Sequence, residues 1–545
     1  MSTRSELLAG GWAFAFALLA CSTKDVNAPS PVGGASSGSG SGVGSNSGGG
    51  ATAGGLSTSG GASTSSGTST SSGGLASSGS AASGSPAISS GLSTSGGASP
   101  ASGASLGAGP TGTDADIRSI LANVSADRIS QSIQTLAGFG TRSSCSPQTT
   151  GTQGIVAARD WIKGQFDAIG GLKTSLYPYA QTRCAQSFTR HNVIALIPGT
   201  TRPERIVIAG SHYDSRTIDV TDGTSPAPGA NDSGSQTALV LELARAFVGH
   251  AFDATVAFIA FAGEEQGMVG SGALSRDMGS VVPNAQVVAM LQSDIVGGDT
   301  TVNDATTLQQ FRLYSPGTPR EVSGTAPDGT PDDTSPSRGL MRYVATWGAA
   351  YVPSMTIIPK LREDRPGRGS DHEPFIAVGR PGVRFIETVE SPNAGTMASH
   401  QHSPNDLTMY VTPAYTARIA QVVAAVAASL ARAPDAPGSI VVTGDATSAK
   451  LTWTAPSTGA IDHYVVAARP AAENFYRSRV RVDGTATNTA VTPSGLGVDS
   501  TQPYFISVAA VDTRGHESLF AYPEFRCDAS GCVVPPAALN VTATK

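Results

Sequence analysis

The sequence predicts a mixed, mostly parallel α/β sheet flanked by helices, followed by a small all-β sandwich. Three observations predict it. Between residues 113 and 432, short apolar runs bounded by Gly or Pro alternate with helical patterns, as expected of strands buried on both faces. From residue 433 the texture changes to short strand-like runs separated by turn residues. Before residue 113 there is too little apolar surface to build a core.

The N-terminal part comes first. Arg4 precedes an apolar run over residues 7–20, short for a membrane-spanning helix and laid out like a signal peptide. The run ends in Leu18-Leu19-Ala20-Cys21, which resembles the lipobox of bacterial lipoproteins. Residues 1–21 are therefore expected to be a lipoprotein signal peptide, with Cys21 lipid-modified. Ser22 after the cysteine points to an anchor in the outer membrane or at the cell surface. Residues 22–112 are almost wholly Gly, Ser, Ala and Thr, with Lys24 and Asp25 as the only charges. Such a segment is expected to be a disordered tether spanning roughly 50 Å.

Charge and cysteines bound the function. A net charge of −6 with no basic run gives no footprint for nucleic acid. Of five cysteines, setting Cys21 aside leaves an even number, as expected in an oxidising compartment. Nearness in the chain favours Cys145–Cys184 and Cys527–Cys532 as disulfides.

In the α/β part, helices are expected over 117–136, 154–169, 235–247, 268–274 and 413–430. Strands are expected over 192–197, 205–209, 255–262, 285–291, 351–358 and 382–387. The helix over 413–430 is apolar, but short and flanked by Arg418 and Arg432, so it reads as a packed core helix. The polar, Pro-rich stretch 298–337 reads as a surface insertion that shapes substrate access.

Beyond it, strands are expected over 439–442, 450–454, 464–468, 488–492 and 504–511. Trp453, the Tyr464-Val-Val run and the Tyr504-led strand resemble a fibronectin type III module over 433–526. The resemblance implies a spacer or a module for surface or polymer contact. Residues 527–545 are left as a C-terminal tail.

Polar groups collect at the strand ends. The run from Ile206 ends in His212-Tyr-Asp214, which places a histidine where α/β sheets bind ligands. Asp214 is placed to accept the other ring N–H and fix the tautomer. Asn231-Asp232-Ser233 precedes an apolar helix, and these residue types also suit a helix N-cap. The run from Thr255 ends in Glu264-Glu265, adjacent acids that are costly after a buried strand unless a cation or water meets them. On extended backbone such neighbours point opposite ways, so one can ligate a metal while the other faces water. The run from Val287 ends in Asp294, and His400-Gln-His402 supplies late histidines on a loop.

The ordered set His212, Asp232, Glu264, Glu265, Asp294 and His402 resembles the M28 zinc aminopeptidases across residues 114–432. Leu136-Ala-Gly-Phe-Gly-Thr-Arg142 and Ser370-Asp-His372-Glu-Pro-Phe375 support it. The resemblance implies a zinc-exopeptidase fold with two zinc ions per chain. His212, Glu265, Asp294 and His402 match terminal ligands, Asp232 the bridging carboxylate, Glu264 the general base, and Asp214 a partner of His212. His402 is preferred to His400 because Asp406 stands four residues on, as in the family's last motif.

Two positions depart from the pattern. Gln401 stands where several members carry a Tyr that supports the oxyanion, and Gln236 stands where Gly is common, read as a helix-packing difference. Arg362, Arg365 and Arg368 read as a solvated loop that keeps a carboxypeptidase open, and Asp371 and His372 read as structural hydrogen-bonding residues. His191, His250, His463 and His516 lack metal-ligand context. The expectation is thus a membrane-tethered zinc aminopeptidase acting on peptides. Its rivals are a carboxypeptidase of the same fold and a catalytically silent binding or adhesion protein.

Overall fold

Ser125 divides the helix expected over 117–136 in two. Its side chain accepts the backbone N–H of Arg128 and starts α2 (Ala126–Ala137), while Asn123 closes α1 (Ala115–Ala122). A polar cap satisfies the free N–H groups of a new first turn, so it overrides the continuous apolar spacing. The computed structural model describes residues 113–147, 151–317, 335–364, 368–391 and 400–535. Cys21, the signal-like run and the tether lie outside the described residues.

Helix α3 (Gly154–Ile169) follows at the expected position. The sheet then uses β1 (Lys173–Gln181), β2 (Phe188–Ile197), β3 (Arg202–His212), β4 (Ala254–Phe261), β5 (Gln286–Ser293), β6 (Gln310–Tyr314), β7 (Thr356–Lys360) and β8 (Gly382–Glu387). Their spatial order is β1-β2-β4-β3-β5-β8-β6-β7. The central β4, β3, β5 and β8 are parallel, β1 and β2 are antiparallel to their neighbours, and β6 is antiparallel to β8 but parallel to β7.

Both faces of the central strands are covered. On β4, Val256, Phe258 and Ala260 enter one apolar cluster and Ala257, Ile259 and Phe261 the other. The first cluster is filled from α4 (Gln236–Phe247), α6 (Pro336–Tyr351) and α8 (Pro413–Arg432). The second takes Leu274 from α5 (Val269–Arg276) and Phe375 from α7 (Glu373–Ala377). Among the described residues α8 alone is long and apolar enough to cross a membrane, and it is mostly buried in this core.

Two expectations are corrected here. The segment 351–358 is not one strand, because α6 runs to Tyr351 and β7 begins only at Thr356, after Pro353 has interrupted the helix. The stretch 298–337 is not wholly a surface insertion: β6 lies within it and pairs with β8, with Phe311 and Leu313 in the core. Residues 318–334 lie outside the described residues.

The all-β part has β9 (Gly438–Gly444), β10 (Ala449–Thr454), β11 (Ile461–Pro470), β12 (Ser478–Asp483), β13 (Asn488–Val491), β14 (Tyr504–Asp512), β15 (Phe525–Asp528) and β16 (Gly531–Val533). They form two sheets, β13-β10-β9 and β12-β11-β14-β15-β16. Trp453 meets Tyr464 edge-on, ring centres 5.0 Å apart, in a core that also holds Tyr504. The boundary expected at 526/527 falls inside β15. Cys527 pairs with Cys532 across the β15–β16 hairpin and is bonded to it, so residues 527–533 extend the sheet. The second expected bond, Cys145–Cys184, is also formed.

The sandwich is packed firmly onto α6. Buried Glu524 binds Arg342 of α6 at 3.0 Å, Arg469 of β11 at 2.9 Å and the Tyr476 hydroxyl at 2.7 Å. Tyr343 donates to the Glu517 carbonyl at 3.0 Å.

Candidate metal centre

Adjacent parallel strands end in the site. His212 is the last residue of β3, Asp294 follows β5, and Glu264 and Glu265 follow β4 after a turn at Gly263. Gly263 has φ 75°, and a Cβ there would stand 2.6 Å from the Tyr179 hydroxyl, so the turn requires glycine. Asp232 arrives on the loop before α4, and His402 on the loop before α8. All six expected residues come together.

Their ligand atoms form interlocking triads. His212, Asp232 and Asp294 make one, Asp232, Glu265 and His402 a second, and His212, Glu264 and Glu265 a third. His212 Nε2 is 3.4 Å from Asp232 Oδ1 and 3.3 Å from Asp294 Oδ1. His402 Nε2 is 3.2 Å from Asp232 Oδ2 and 3.4 Å from Glu265 Oε2. His400 instead turns to Asp299 at 2.6 Å and stacks on Tyr410.

The donor set fits a metal. Asp232 Oδ1 and Glu265 Oε1 are buried without a hydrogen-bond partner. Such atoms are costly unless a cation meets them.

The supporting shell departs from expectation. The Asp214 carboxylate lies 3.6 Å from His212 Nδ1, which pairs at 3.1 Å with the Asp214 carbonyl instead. The carboxylate accepts the backbone N–H groups of Glu264 at 3.4 Å and Glu265 at 3.2 Å, so it orients the turn carrying both acids. Gln236 is more than a packing difference: its Nε2 lies 3.1 Å from His212 Nε2, and its Oε1 accepts Ile295 N–H at 3.2 Å.

Arg142 is fully buried and ties the Asp232 loop to the sheet. It donates to the carbonyls of Tyr213, Leu136, Pro228 and Gly229 and to the Ser233 hydroxyl. Its motif was legible, but its partners were not.

Burial pushes the Glu264 carboxyl well above the carboxylate range, His212 opposes this, and the charges of Glu265 and Asp294 add to it. Burial disfavours the His402 cation too, yet Glu265 and Asp232 outweigh it and carry its pKa up to about 9. His372 is buried, and burial together with the Arg384 charge lowers its pKa to about 3. Asp371 accepts from Gln292 at 3.2 Å, and burial raises its carboxyl to about 7.

The six residues line a cavity of about 360 Å³ together with Arg216, Arg368, Arg384, Glu363 and Glu373. Arg368 is not a solvated residue, because it pairs with Asp364 at 3.3 Å and Glu390 at 2.5 Å. Arg365 lies outside the described residues. Buried Gln401 sits with Oε1 3.4 Å from the Arg368 guanidinium. Sequence reasoning missed Arg216 and Arg384, since neither carries a motif.

The profile of Peptidase family M28 matches residues 192–427, and that of the fibronectin type III domain matches residues 435–523. A "Probable zinc metalloprotease" of Pyrenophora tritici-repentis is 31% identical over 435 residues, covering 75% of this chain and 98% of its own. Another, of Leptosphaeria maculans, is 34% identical over 395 residues, covering 68% and 89%. Among solved structures, the LapA aminopeptidase of Legionella pneumophila aligns at 21% identity and TM-score 0.45, over 58% of this chain and 74% of that one. An aminopeptidase from Aneurinibacillus sp. strain AM-1 aligns at 18% and 0.43, over 58% and 96%. With relatives of this identity matched over most of their length, the chain belongs to Peptidase family M28.

Proposed function

We propose that this chain is an extracytoplasmic aminopeptidase holding two zinc ions. His212, Asp232 and Asp294 would hold one, and Asp232, Glu265 and His402 the other. The observation that carries the reading is the membership of Asp232 in both triads. One carboxylate offers two oxygens, enough to serve a pair of ions. Relatives named "Probable zinc metalloprotease" support zinc as the metal.

Bound there, zinc would supply Lewis acidity that polarises a scissile carbonyl and eases deprotonation of an attacking water. Glu264 lines the same cavity, and burial gives its carboxyl a raised affinity for a proton. It therefore suits the general base, taking a proton from the water and returning it to the leaving amine. Asp214 keeps that carboxylate aimed by holding the Glu264 backbone N–H.

The cavity's charges favour an amino terminus as the recognised end. Arg216, Arg368 and Arg384 line it, but each is already paired with Glu265, Glu390 or Asp294 respectively. Glu363 and Glu373 add two carboxyl groups to the wall, both raised by burial, Glu373 to about 7. A substrate carboxylate thus meets arginines already neutralised, whereas an α-ammonium meets carboxyl groups whose ionised form it would favour.

Export is supported by the disulfides Cys145–Cys184 and Cys527–Cys532. We extend the proposal to a lipid anchor at Cys21 in the outer membrane or at the cell surface, with residues 22–112 as its tether. Fatty-acid labelling that persists in Cys21→Ser would sink the anchor.

The deciding experiment compares free-amine, N-acetylated and C-terminally amidated forms of one peptide. Cleavage of the free and amidated forms, with the acetylated form intact, is expected. Cleavage of the free and acetylated forms, with the amidated form intact, would make the enzyme a carboxypeptidase, and no cleavage by zinc-loaded protein would favour a silent binding protein.

A further inference from the structure

Two arginines stand behind the triads in matching positions. Arg216 places Nε 2.6 Å from Glu265 Oε2, and Arg384 places Nη2 3.0 Å from Asp294 Oδ2. Asp294 joins His212 and Asp232, whereas Glu265 joins Asp232 and His402 and also meets His212 and Glu264, so the two carboxylates share no triad. Each terminal carboxylate therefore has its own cation. At Asp294 the second oxygen, Oδ1, faces His212 Nε2 at 3.3 Å; at Glu265 the paired Oε2 also lies 3.4 Å from His402 Nε2, while Oε1 is buried without a hydrogen-bond partner and is left to the site.

Both cations are held from behind. Arg216 Nη1 donates to the Thr217 carbonyl at 3.1 Å, and Arg384 Nη1 meets Asp364 at 3.3 Å. The carboxylates thus come to fixed charges. Arg384 is fully buried on β8, and the Arg216 side chain is mostly buried.

We infer that Arg216 and Arg384 are a matched pair of positioning residues, each fixing one terminal carboxylate so that it offers a single oxygen to one zinc. This rests on the two-zinc reading above. Holding one oxygen prevents the carboxylate from rotating or chelating through both. Partners of this kind commonly govern metal affinity by 10–100-fold, and about that effect is expected here. The two effects are separable, since Arg216 acts on the ion shared by Asp232, Glu265 and His402, and Arg384 on the ion shared by His212, Asp232 and Asp294.

The test is zinc titration of the metal-stripped, full-length protein against a competing chelator, with circular dichroism to verify the fold. Wild type is expected to take up two ions. Arg216→Gln should weaken one ion by about 10–100-fold and spare the other, while Arg384→Gln should do the converse. In a His402→Ala background, Arg384→Gln should weaken the remaining ion and Arg216→Gln should not. Arg216→Lys should recover part of the lost affinity, because one N–H donor reaches Glu265. If Arg384→Gln does not fold, Arg216→Gln carries the test alone. Folded single variants with unchanged affinity for both ions would overturn the inference. Wild type that binds fewer than two ions would count against the two-zinc reading, and the variants would then be judged on the ion that remains.

Discussion

Asp406 sets one carboxylate oxygen on the backbone N–H of Asp232, at 2.9 Å. Its other oxygen accepts the N–H of Asn231 at 2.8 Å. One buried side chain thus fixes two consecutive amides of the loop that delivers the shared carboxylate. Asp406→Ala leaves both donors unsatisfied and frees the loop. Because Asp232 belongs to both triads, zinc binding should weaken at both ions, by about 10–100-fold. Chelator competition measures this; loss confined to one ion would refute the common role of Asp232.

Arg142 predicts a stability effect rather than a chemical one. All its N–H groups face carbonyls or a hydroxyl, and burial lowers its pKa to about 10, still charged at neutral pH. Arg142→Ala orphans several buried carbonyls at once, each costing about 1–3 kcal/mol. A loss of at least about 3 kcal/mol in urea unfolding is expected. A loss of a few tenths would mean that water replaces the guanidinium without penalty.

Glu264→Gln separates the base from the ligands. Glu264 meets His212 and Glu265 in a third triad but belongs to neither of the two assigned to zinc, so its replacement by the isosteric amide should leave the zinc count unchanged. Turnover should fall at least about 10²-fold, the scale of a general base. Zinc analysis and steady-state rates on one preparation check both halves. Near-normal turnover would remove Glu264 from its assigned role.

What could be read from sequence follows from where information is local. His212, Glu264, Glu265 and Asp294 are legible because each ends an apolar run, and burial on both faces makes those runs conspicuous. Asp232 and His402 sit on loops, where residue type alone fits caps and turns equally well, so they needed the motif order. Arg216 and Arg384 were hidden because their carboxylates are distant in the chain, and ion pairs leave no periodic trace. Helix α6 was hidden by its own chemistry: it buries Arg338 and Arg342, which break the apolar stripe that marks a helix. Strand β1 alternates only partly between exposed and buried positions at the sheet edge, so its pattern is weak.

Buried Glu524 predicts how the sandwich responds to acid. Burial opposes its charge, but Arg342 and Arg469 outweigh that and hold its carboxyl down to about 2. An unfolded glutamate titrates near about 4.3. Because the folded value is the lower one, the stabilisation is fully present above about pH 4.3 and drains away as pH falls toward 2. Arg342 belongs to α6 and Arg469 to the sandwich, so this carboxylate couples the two parts. At pH 7 a single calorimetric transition is expected for both. Glu524→Ala leaves two buried cations facing each other, at a cost of about 3–5 kcal/mol. The variant should therefore unfold its sandwich first, in a separate and earlier transition at pH 7. Wild type should begin to show the same separation only below about pH 4. A variant that still melts in one unshifted transition would mean that the apolar contacts around Phe475 and Leu519 hold the two parts together without the ion pair.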